Sequence, residues 1–208
     1  KELMEAHPSG LRCNEYTFLP HSTAIIVLYG KRVVGTVTLI IDNPLGLPAD
    51  KDFKVENDKL RQQGRRLIEV SALSVARDFR NQGHAVSLLL MKYLYNFVRD
   101  YTQQDCLICT VHPKAAYFYV SLFRFEKNPK TVKYEFVKGA LACHLYMKMR
   151  GDYENVMLRS YLGKTSRRNL GIFLVEKDAR LIYPDKQPGQ VVYPVLSEEL
   201  VSYFCKKN

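Results

Sequence analysis

The sequence predicts an α/β (α+β) fold, a mixed central sheet flanked by helices, on three observations. Short β-branched runs bounded by turn residues recur between 23 and 149. One long amphipathic helix stands between two of them, and a second helix opens at a proline just after a strand. The chain has 208 residues, 47% hydrophobic and 25% charged. That is enough for one domain to bury a core without metal or disulfide staples. No apolar run approaches the ~20 residues that cross a bilayer. The stretch from Lys1 to His7 shows no charged leader ahead of an apolar segment, so no signal peptide is expected. The net charge of +10 favours a polyanionic partner: nucleic acid, a phosphate-bearing cofactor, an acidic protein or a lipid surface.

Residues 23–29 and 32–41 are strand-like runs joined by Gly30-Lys31, a hairpin with a short glycine-containing turn. Residues 42–66 carry Pro44, Pro48, two glycines and a charged stretch, and read as a long surface connection with a short helix. A third strand spans 67–75. Val86, Leu89, Leu90, Tyr93, Leu94, Phe97, Val98 and Tyr101 then form one apolar stripe at helical spacing. A fourth strand at 105–111, a helix beginning at Pro113, and strands near 132–137 and 140–149 complete the pattern. Residues 151–208, with Pro184, Pro188 and Pro194, read as an extension packed on a 1–150 core and not as an independent domain.

The cysteines, Cys13, Cys106, Cys109, Cys143 and Cys205, are odd in number and point to a cytoplasmic protein with buried thiols. Cys106 and Cys109 lie three apart on a strand, hence on opposite faces, and are ill placed to share a zinc. No metal is expected.

Between the third strand and the long helix stands Arg80-Asn81-Gln82-Gly83-His84-Ala85. A glycine-containing turn that opens a helix presents unpaired N–H groups and the positive end of the helix dipole to a phosphate. Gly83 and Ala85 are small enough for a pyrophosphate to approach the backbone, and Arg80 adds a charge-assisted contact. The alternative is a plain strand–turn–helix junction in which Gly83 only relieves a turn.

Leu73-Ser74-Val75, Arg80-x-x-Gly83-x-Ala85 and Leu88-Leu89-Leu90 together resemble the acyl-CoA-binding motif of the GNAT acyltransferase superfamily. Residues 112–125 resemble the strand end and helix that follow it there, with Tyr119 at the superfamily tyrosine and Arg124 in place of the usual glycine. The resemblance covers about 23–149 and implies the GNAT acyl-CoA N-acyltransferase fold. Leu47-Pro48-Ala49-Asp50, Phe53, Glu56, Leu60-Arg61 and Gly64-Arg65 lead into Ile68-Glu69-Val70-Ser71. This arrangement is similar to the bacterial long-chain N-acyl amino acid synthases, GNAT relatives that use acyl carrier protein thioesters. Residues 137–146 resemble the turn into the last core strand of those enzymes. Glu69-Val70-Ser71 is also similar to a stretch of the acyl-homoserine-lactone autoinducer synthases, but Ala72 stands where they have an arginine, and their acidic N-terminal cluster is missing.

The resemblance implies a cytoplasmic, bacterial N-acyltransferase. It would move an acyl group, long-chain by the narrower likeness, from an acyl carrier protein or CoA thioester of phosphopantetheine to an amine such as an amino acid. The alternatives are a short-chain acetyl-CoA-dependent N-acetyltransferase and a non-catalytic acyl-carrier-binding domain. The donor would lie on Leu73, Val75, Arg80, Gln82, Gly83, His84 and Ala85. Acyl transfer needs a polarised carbonyl, a neutral amine and a protonated leaving thiolate. A backbone N–H near a break in the third strand, at Leu73 to Val75, serves the first. Glu69 is the candidate for removing the ammonium proton; an ion pair with Arg65 or Arg66 is its structural alternative. Tyr119 is the candidate acid toward the thiolate, with a core aromatic as the alternative. His112 reads as a cap or solvated residue. Cys143 and His144 are adjacent on a strand, point apart, and make no nucleophile pair. Arg61, Arg65, Arg66, Lys130 and Lys133 fit docking of an acidic carrier protein. The remaining basic residues are scattered without a nucleic-acid motif, so no nucleic-acid partner is expected.

Overall fold

Five helices accompany one six-stranded sheet in a computed structural model that describes residues 16, 19, 22–80, 85–134, 139–149, 151–164 and 169–177. The strands are β1 (Ser22–Tyr29), β2 (Arg32–Ile41), β3 (Leu67–Val75), β4 (Cys106–Val111), β5 (Glu126–Tyr134) and β6 (Ala140–Lys148). The helices are α1 (Asp50–Gln62), α2 (Ala85–Tyr101), α3 (Pro113–Phe123), α4 (Tyr153–Ser160) and α5 (Leu170–Val175). The sheet order is β1-β2-β3-β4-β6-β5. Among the paired strands only β3 and β4 are parallel, and α2 supplies the crossover that a parallel pair needs; every other pair is antiparallel.

Each face of the sheet has its own apolar layer. On one side Leu39, Ile68, Leu107, Cys109, Cys143 and Leu145 meet α2 and α3 through Leu90, Leu94, Ala116 and Phe123. On the other, Ile40, Leu67, Cys106 and Ile108 meet Leu47, Ala49 and Leu60 of α1 and the chain leading into it. With strands at both edges and cover on both faces, the first four residues of β4 are all buried, which is why its sequence is continuously apolar.

Three expectations are corrected. The connection at 42–66 holds a 13-residue helix rather than a short one. Only Phe53, Asn57 and Leu60 of it are buried, so its apolar stripe is too sparse to stand out among charges. The fifth strand begins earlier than expected, at Glu126. As an edge strand carrying Pro129 and a register irregularity between Lys127 and Thr131, it needs no apolar alternation; residues 135–137 of the expected strand lie outside the described residues. On α2, Val86, Leu90, Leu94 and Val98 are buried as expected, but so are Met91, Lys92, Tyr95 and Asn96, whereas Tyr101 is exposed.

The cause of that wider buried arc is α5, which packs on α2. Asn96 Nδ2 donates to Leu174 O at 3.2 Å and Arg99 Nη1 to Val175 O at 2.7 Å, so polar residues of α2 cap the end of α5. Met157 of α4 and Leu174 of α5 belong to the same buried cluster as α2 and α3. Residues 178–208, with the three late prolines, lie outside the described residues. Among the described residues no helix is long and apolar enough to cross a membrane.

Candidate active site

The parallel ladder between β3 and β4 is short. It pairs Leu67 with Cys106, Ile68 with Leu107 and Glu69 with Ile108, and stops there although β3 runs on to Val75 and β4 to Val111. Beyond Glu69, β3 stays paired with β2, but through a bulge: the register shifts between Thr36 and Thr38, and Ala72 takes φ 51°. A bulge bends its strand and leaves a residue unpaired in the ladder. The strands therefore part just past Glu69, with half-buried Leu73 and Val75 on one side and Val111 on the other.

Arg80 is exposed and its Nε donates to Val75 O at 2.8 Å, tying the turn that follows β3 to the strand end. Gln82, Gly83 and His84 lie outside the described residues. Ala85, also exposed, opens α2. The next residue, Val86, rests on β2, where a Cβ added to Gly35 would fall 2.5 Å from Val86 Cγ1.

Glu69 sits at the fork. It is 2% exposed, and its Oε2 accepts the backbone N–H of Ala49 at 2.8 Å. Burial raises its pKa to about 8; the Ala49 hydrogen bond opposes the rise and the Asp50 charge adds to it. The ion-pair alternative fails because Asp105 and Gln103 take the two arginines. Arg65 Nη1 lies 4.0 Å from Asp105 Oδ2, and Arg66 donates its backbone N–H to Asp105 Oδ1 and Nη1 to Gln103 Oε1. Glu69 is thus a buried carboxyl whose hydrogen bond comes from backbone.

Two residues further along, on the same face, β4 and β6 pair Thr110 with His144. His144 is fully buried and neither ring nitrogen has a partner; Thr110 Oγ1 and Asn57 Oδ1 are likewise buried and unpaired. Each such atom costs about 1–3 kcal/mol when nothing meets it. Burial lowers the His144 pKa to about 4, against the raising effect of Glu56 and Asp50, so the ring is neutral at pH 7. Sequence reasoning passed over this cluster. A histidine inside the apolar run Ala142-Cys143-His144-Leu145 was its one signal.

Tyr119 lies across the sheet from Glu69. It is 6% exposed and meets Phe118 and Phe125 edge-on, at centroid distances of 5.3 and 5.7 Å. Burial pushes its phenol well above the usual range, so the hydroxyl keeps its proton. The structure does not bring Glu69 and Tyr119 together on one face. His112 is the N-cap of α3, its Nδ1 accepting from Lys114 N at 3.1 Å, and is exposed. Cys143 and His144 do point apart, as do Cys106 and Cys109.

Two proposed docking cations are already engaged. Arg61 bonds Asp42, Asp50 and Asp58, each at 2.7 Å at closest, beside a surface hollow of about 470 Å³. Lys130 Nζ donates to Asp52 O at 2.7 Å and lies 3.6 Å from Glu56 Oε2.

Among solved structures, the chain is similar to FeeM, an N-acyl amino acid synthase from uncultured soil microbes, with TM-score 0.59 and 24% identity over 67% of this chain and 74% of that one. It is also similar to BjaI, a CoA-dependent acyl-homoserine lactone synthase, with TM-score 0.53 and 19% identity over 72% of this chain and 68% of that one. At these identities the likeness is one of fold, and the fold is GNAT-like. No curated protein matches the chain. The family described as N-acyl amino acid synthase FeeM matches residues 1–148, across the whole sheet and the fork that holds Glu69. The chain belongs to that family and is an acyltransferase.

Proposed function

We propose that the protein moves a long-chain acyl group from an acyl carrier protein thioester to the α-amine of an amino acid, with the fork between β3 and β4 as the reaction centre. The observation that carries this reading is Glu69, a buried carboxyl held by Ala49 where the strands part. With a pKa of about 8 it is matched to an amine's proton near neutral pH. Glu69 takes a proton from the bound ammonium, and the neutral amine attacks the thioester carbonyl. A backbone N–H in the bulged stretch Leu73–Val75 receives the developing oxyanion. The intermediate collapses to the amide and expels the thiolate; Tyr119, reaching the gap from the other face of the sheet, protonates the thiolate and is reprotonated through solvent by the second proton that the nitrogen sheds. Leu73, Val75 and Val111 at the fork suit an apolar chain, and Arg80 with the turn through Gly83 suits the phosphate of the donor arm.

The charge of +10 favours the acidic carrier protein over free CoA. With Arg61 and Lys130 engaged and Arg65 beside the Asp105 carboxylate, the docking role falls to Arg66, whose guanidinium bonds the neutral Gln103, and to Lys133, both exposed. Buried free Cys106, Cys109 and Cys143 fit a cytoplasmic setting. Because Asn96 and Arg99 cap α5, the described part of the extension, through residue 177, is read as part of the core's own folding unit.

The test incubates purified protein with an amino acid mixture and, separately, long-chain acyl carrier thioester, long-chain acyl-CoA and acetyl-CoA. Products are read by mass spectrometry. The expected result is a long-chain N-acyl amino acid, formed fastest from the carrier, with Glu69→Gln slower by about 10²–10⁴. Turnover of acetyl-CoA alone makes the protein an acetyltransferase, and a fully active Glu69→Gln variant removes Glu69 from the chemistry.

A further inference from the structure

The two edges of the sheet differ in kind. β5 closes one edge with Glu126, Lys127, Pro129, Lys130 and Lys133 and with an irregular register, the devices that keep a strand edge from pairing further. β1 closes the other edge with eight residues, Ser22 to Tyr29, among which there is no charge and no proline. Its register with β2 is continuous from Ser22 to Val27, and the irregularity that follows places the extra residue, Val34, in β2. β1 itself is therefore unbulged, and among the described residues no strand pairs with its outer edge. An unbroken edge of this kind is a template for another strand.

The side chains of β1 alternate. Ile25 and Val27 turn onto the core that α2 covers. Ala24, Ile26 and Leu28 face outward, Ile26 being 51% and Leu28 55% exposed. Val33, opposite Leu28 on β2, is exposed as well. A bilayer does not suit this surface, because N–H and C=O groups on an open edge have no partner in hydrocarbon. Nor does an acidic peptide, since the strand offers no cation to match it.

A second copy of β1 does suit it. Residues directly opposite one another must lie on one face of a joint sheet, so a two-fold axis normal to it passes through a residue and not between two. Centred on Ile26, antiparallel pairing sets Ile26 against the partner's Ile26 and Ala24 against the partner's Leu28. On the other face it sets Ile25 against the partner's Val27 and Thr23 against the partner's Tyr29. No pair carries a charge, and branched or aromatic side chains meet across the strands, the combination that favours sheet pairing. Centring on Ile25 instead sets Ser22 against Leu28.

We propose that the protein is a homodimer whose two copies pair β1 with β1 antiparallel about Ile26, joining two six-stranded sheets into one. Both copies carry a charge of +10, so their repulsion opposes association and added salt tightens the dimer.

The test measures the mass of the full chain by sedimentation across a wide concentration range, at low and high salt. The expected result is a dimer that salt strengthens, with a melting temperature that rises with protein concentration. Ile26→Lys sets two ammonium groups face to face at the axis and should weaken the dimer by at least about 100-fold. Ile26 is half exposed, so the variant is expected to fold, with a melting temperature independent of concentration. Cysteine cross-linking reads the register separately, with Cys13→Ser and Cys205→Ser as background and Cys106, Cys109 and Cys143 buried. Opposed residues on antiparallel strands are close enough for a disulfide, so Ile26→Cys should form a covalent dimer on mild oxidation. Leu28→Cys alone should not, whereas Ala24→Cys combined with Leu28→Cys should. A monomer at every concentration overturns the proposal, whatever else binds the strand. So does a dimer that salt dissolves, one that Ile26→Lys leaves intact, or one that Leu28→Cys cross-links as readily as Ile26→Cys.

Discussion

Glu69 Oε2 accepts the backbone N–H of Ala49 at 2.8 Å, so the last rung of the β3–β4 ladder is fastened to the residue that opens α1. That contact leaves the carboxyl buried with its pKa raised from 4.5 to about 8. Between those values the folded chain holds a proton that the unfolded chain has released, so stability falls as pH rises. His144 acts in the opposite sense. Its pKa is lowered from 6.5 to about 4, so the unfolded chain takes up the extra proton and stability falls as pH drops through that window. The two effects oppose each other between pH 4.5 and 6.5, and only that of Glu69 operates from 6.5 to about 8. Urea unfolding should therefore show stability declining over the upper window by at most about 1.4 kcal/mol per pH unit. Glu69→Gln should flatten that decline, and a wild-type slope in the variant contradicts the assignment.

Activity should follow the same proton. A general base works as the carboxylate, so kcat/KM is expected to climb with pH and level off above the Glu69 pKa of about 8. Tyr119 stays protonated throughout this range, and Tyr119→Phe should lower the plateau without moving the inflection. A pH–rate profile of the two proteins checks both statements; a displaced inflection in Tyr119→Phe would make the tyrosine the titrating group.

Arg61 is predicted to hold α1 in place, not to dock a carrier. Its guanidinium grips Asp42 twice, at 2.7 and 2.9 Å, and also bonds Asp50 and Asp58, joining the loop after β2 to both ends of the helix. The side chain is one quarter exposed, so screening limits the gain from each pair. Arg61→Gln is expected to cost about 1–3 kcal/mol, because three carboxylates lose their common partner. Lysine should restore little of it, since a point charge cannot make the forked contact. An unchanged urea midpoint with a raised KM for the carrier would return Arg61 to the docking surface.

The strands were legible in the sequence where both faces are buried or alternate, as in β2, β4 and β6. Helix α1 was not, because Phe53, Asn57 and Leu60 are its only buried positions and one of them is polar. Glu69 could be singled out as a carboxyl in an apolar strand, but its partner could not: a backbone N–H at Ala49 leaves no mark on residue identity. The arginines next to Glu69 in sequence offered themselves as its ion-pair partners, but Arg65 lies beside Asp105 and the Arg66 guanidinium bonds Gln103. Thr110 and His144 are 34 positions apart and meet only through strand register, which periodicity within one segment does not encode.

Arg124 ends α3 in the left-handed region, at φ 58°, with its N–H donating to Tyr119 O. A side chain there costs about 1–2 kcal/mol relative to glycine. Arg124→Gly gives back part of that through a more flexible unfolded chain. The net expectation is a gain of about 0.5–1 kcal/mol, seen as a melting point about 1–4 °C higher. A lower melting point would show that the guanidinium makes a compensating contact near Tyr153 and Tyr161, whose hydroxyls it faces.

Gly35 sets how closely α2 lies on the sheet. A Cβ at this position falls 2.5 Å from Val86 Cγ1 and 3.2 Å from Leu90 Cδ1, in the first turns of the helix. Gly35 also pairs with Val75, the strand end that Arg80 grips, so displacement here reaches the donor side of the fork. Gly35→Ala should destabilise the protein by about 1–3 kcal/mol through overpacking. It should also raise KM for the thioester more than it lowers kcat. Trimming the opposing side chain tests the cause: Val86→Ala makes room for the new methyl group. The double variant should therefore be more stable than the sum of the two single changes requires, and recover much of the donor affinity. Strict additivity would mean that Gly35 matters for its backbone and not for the approach of α2.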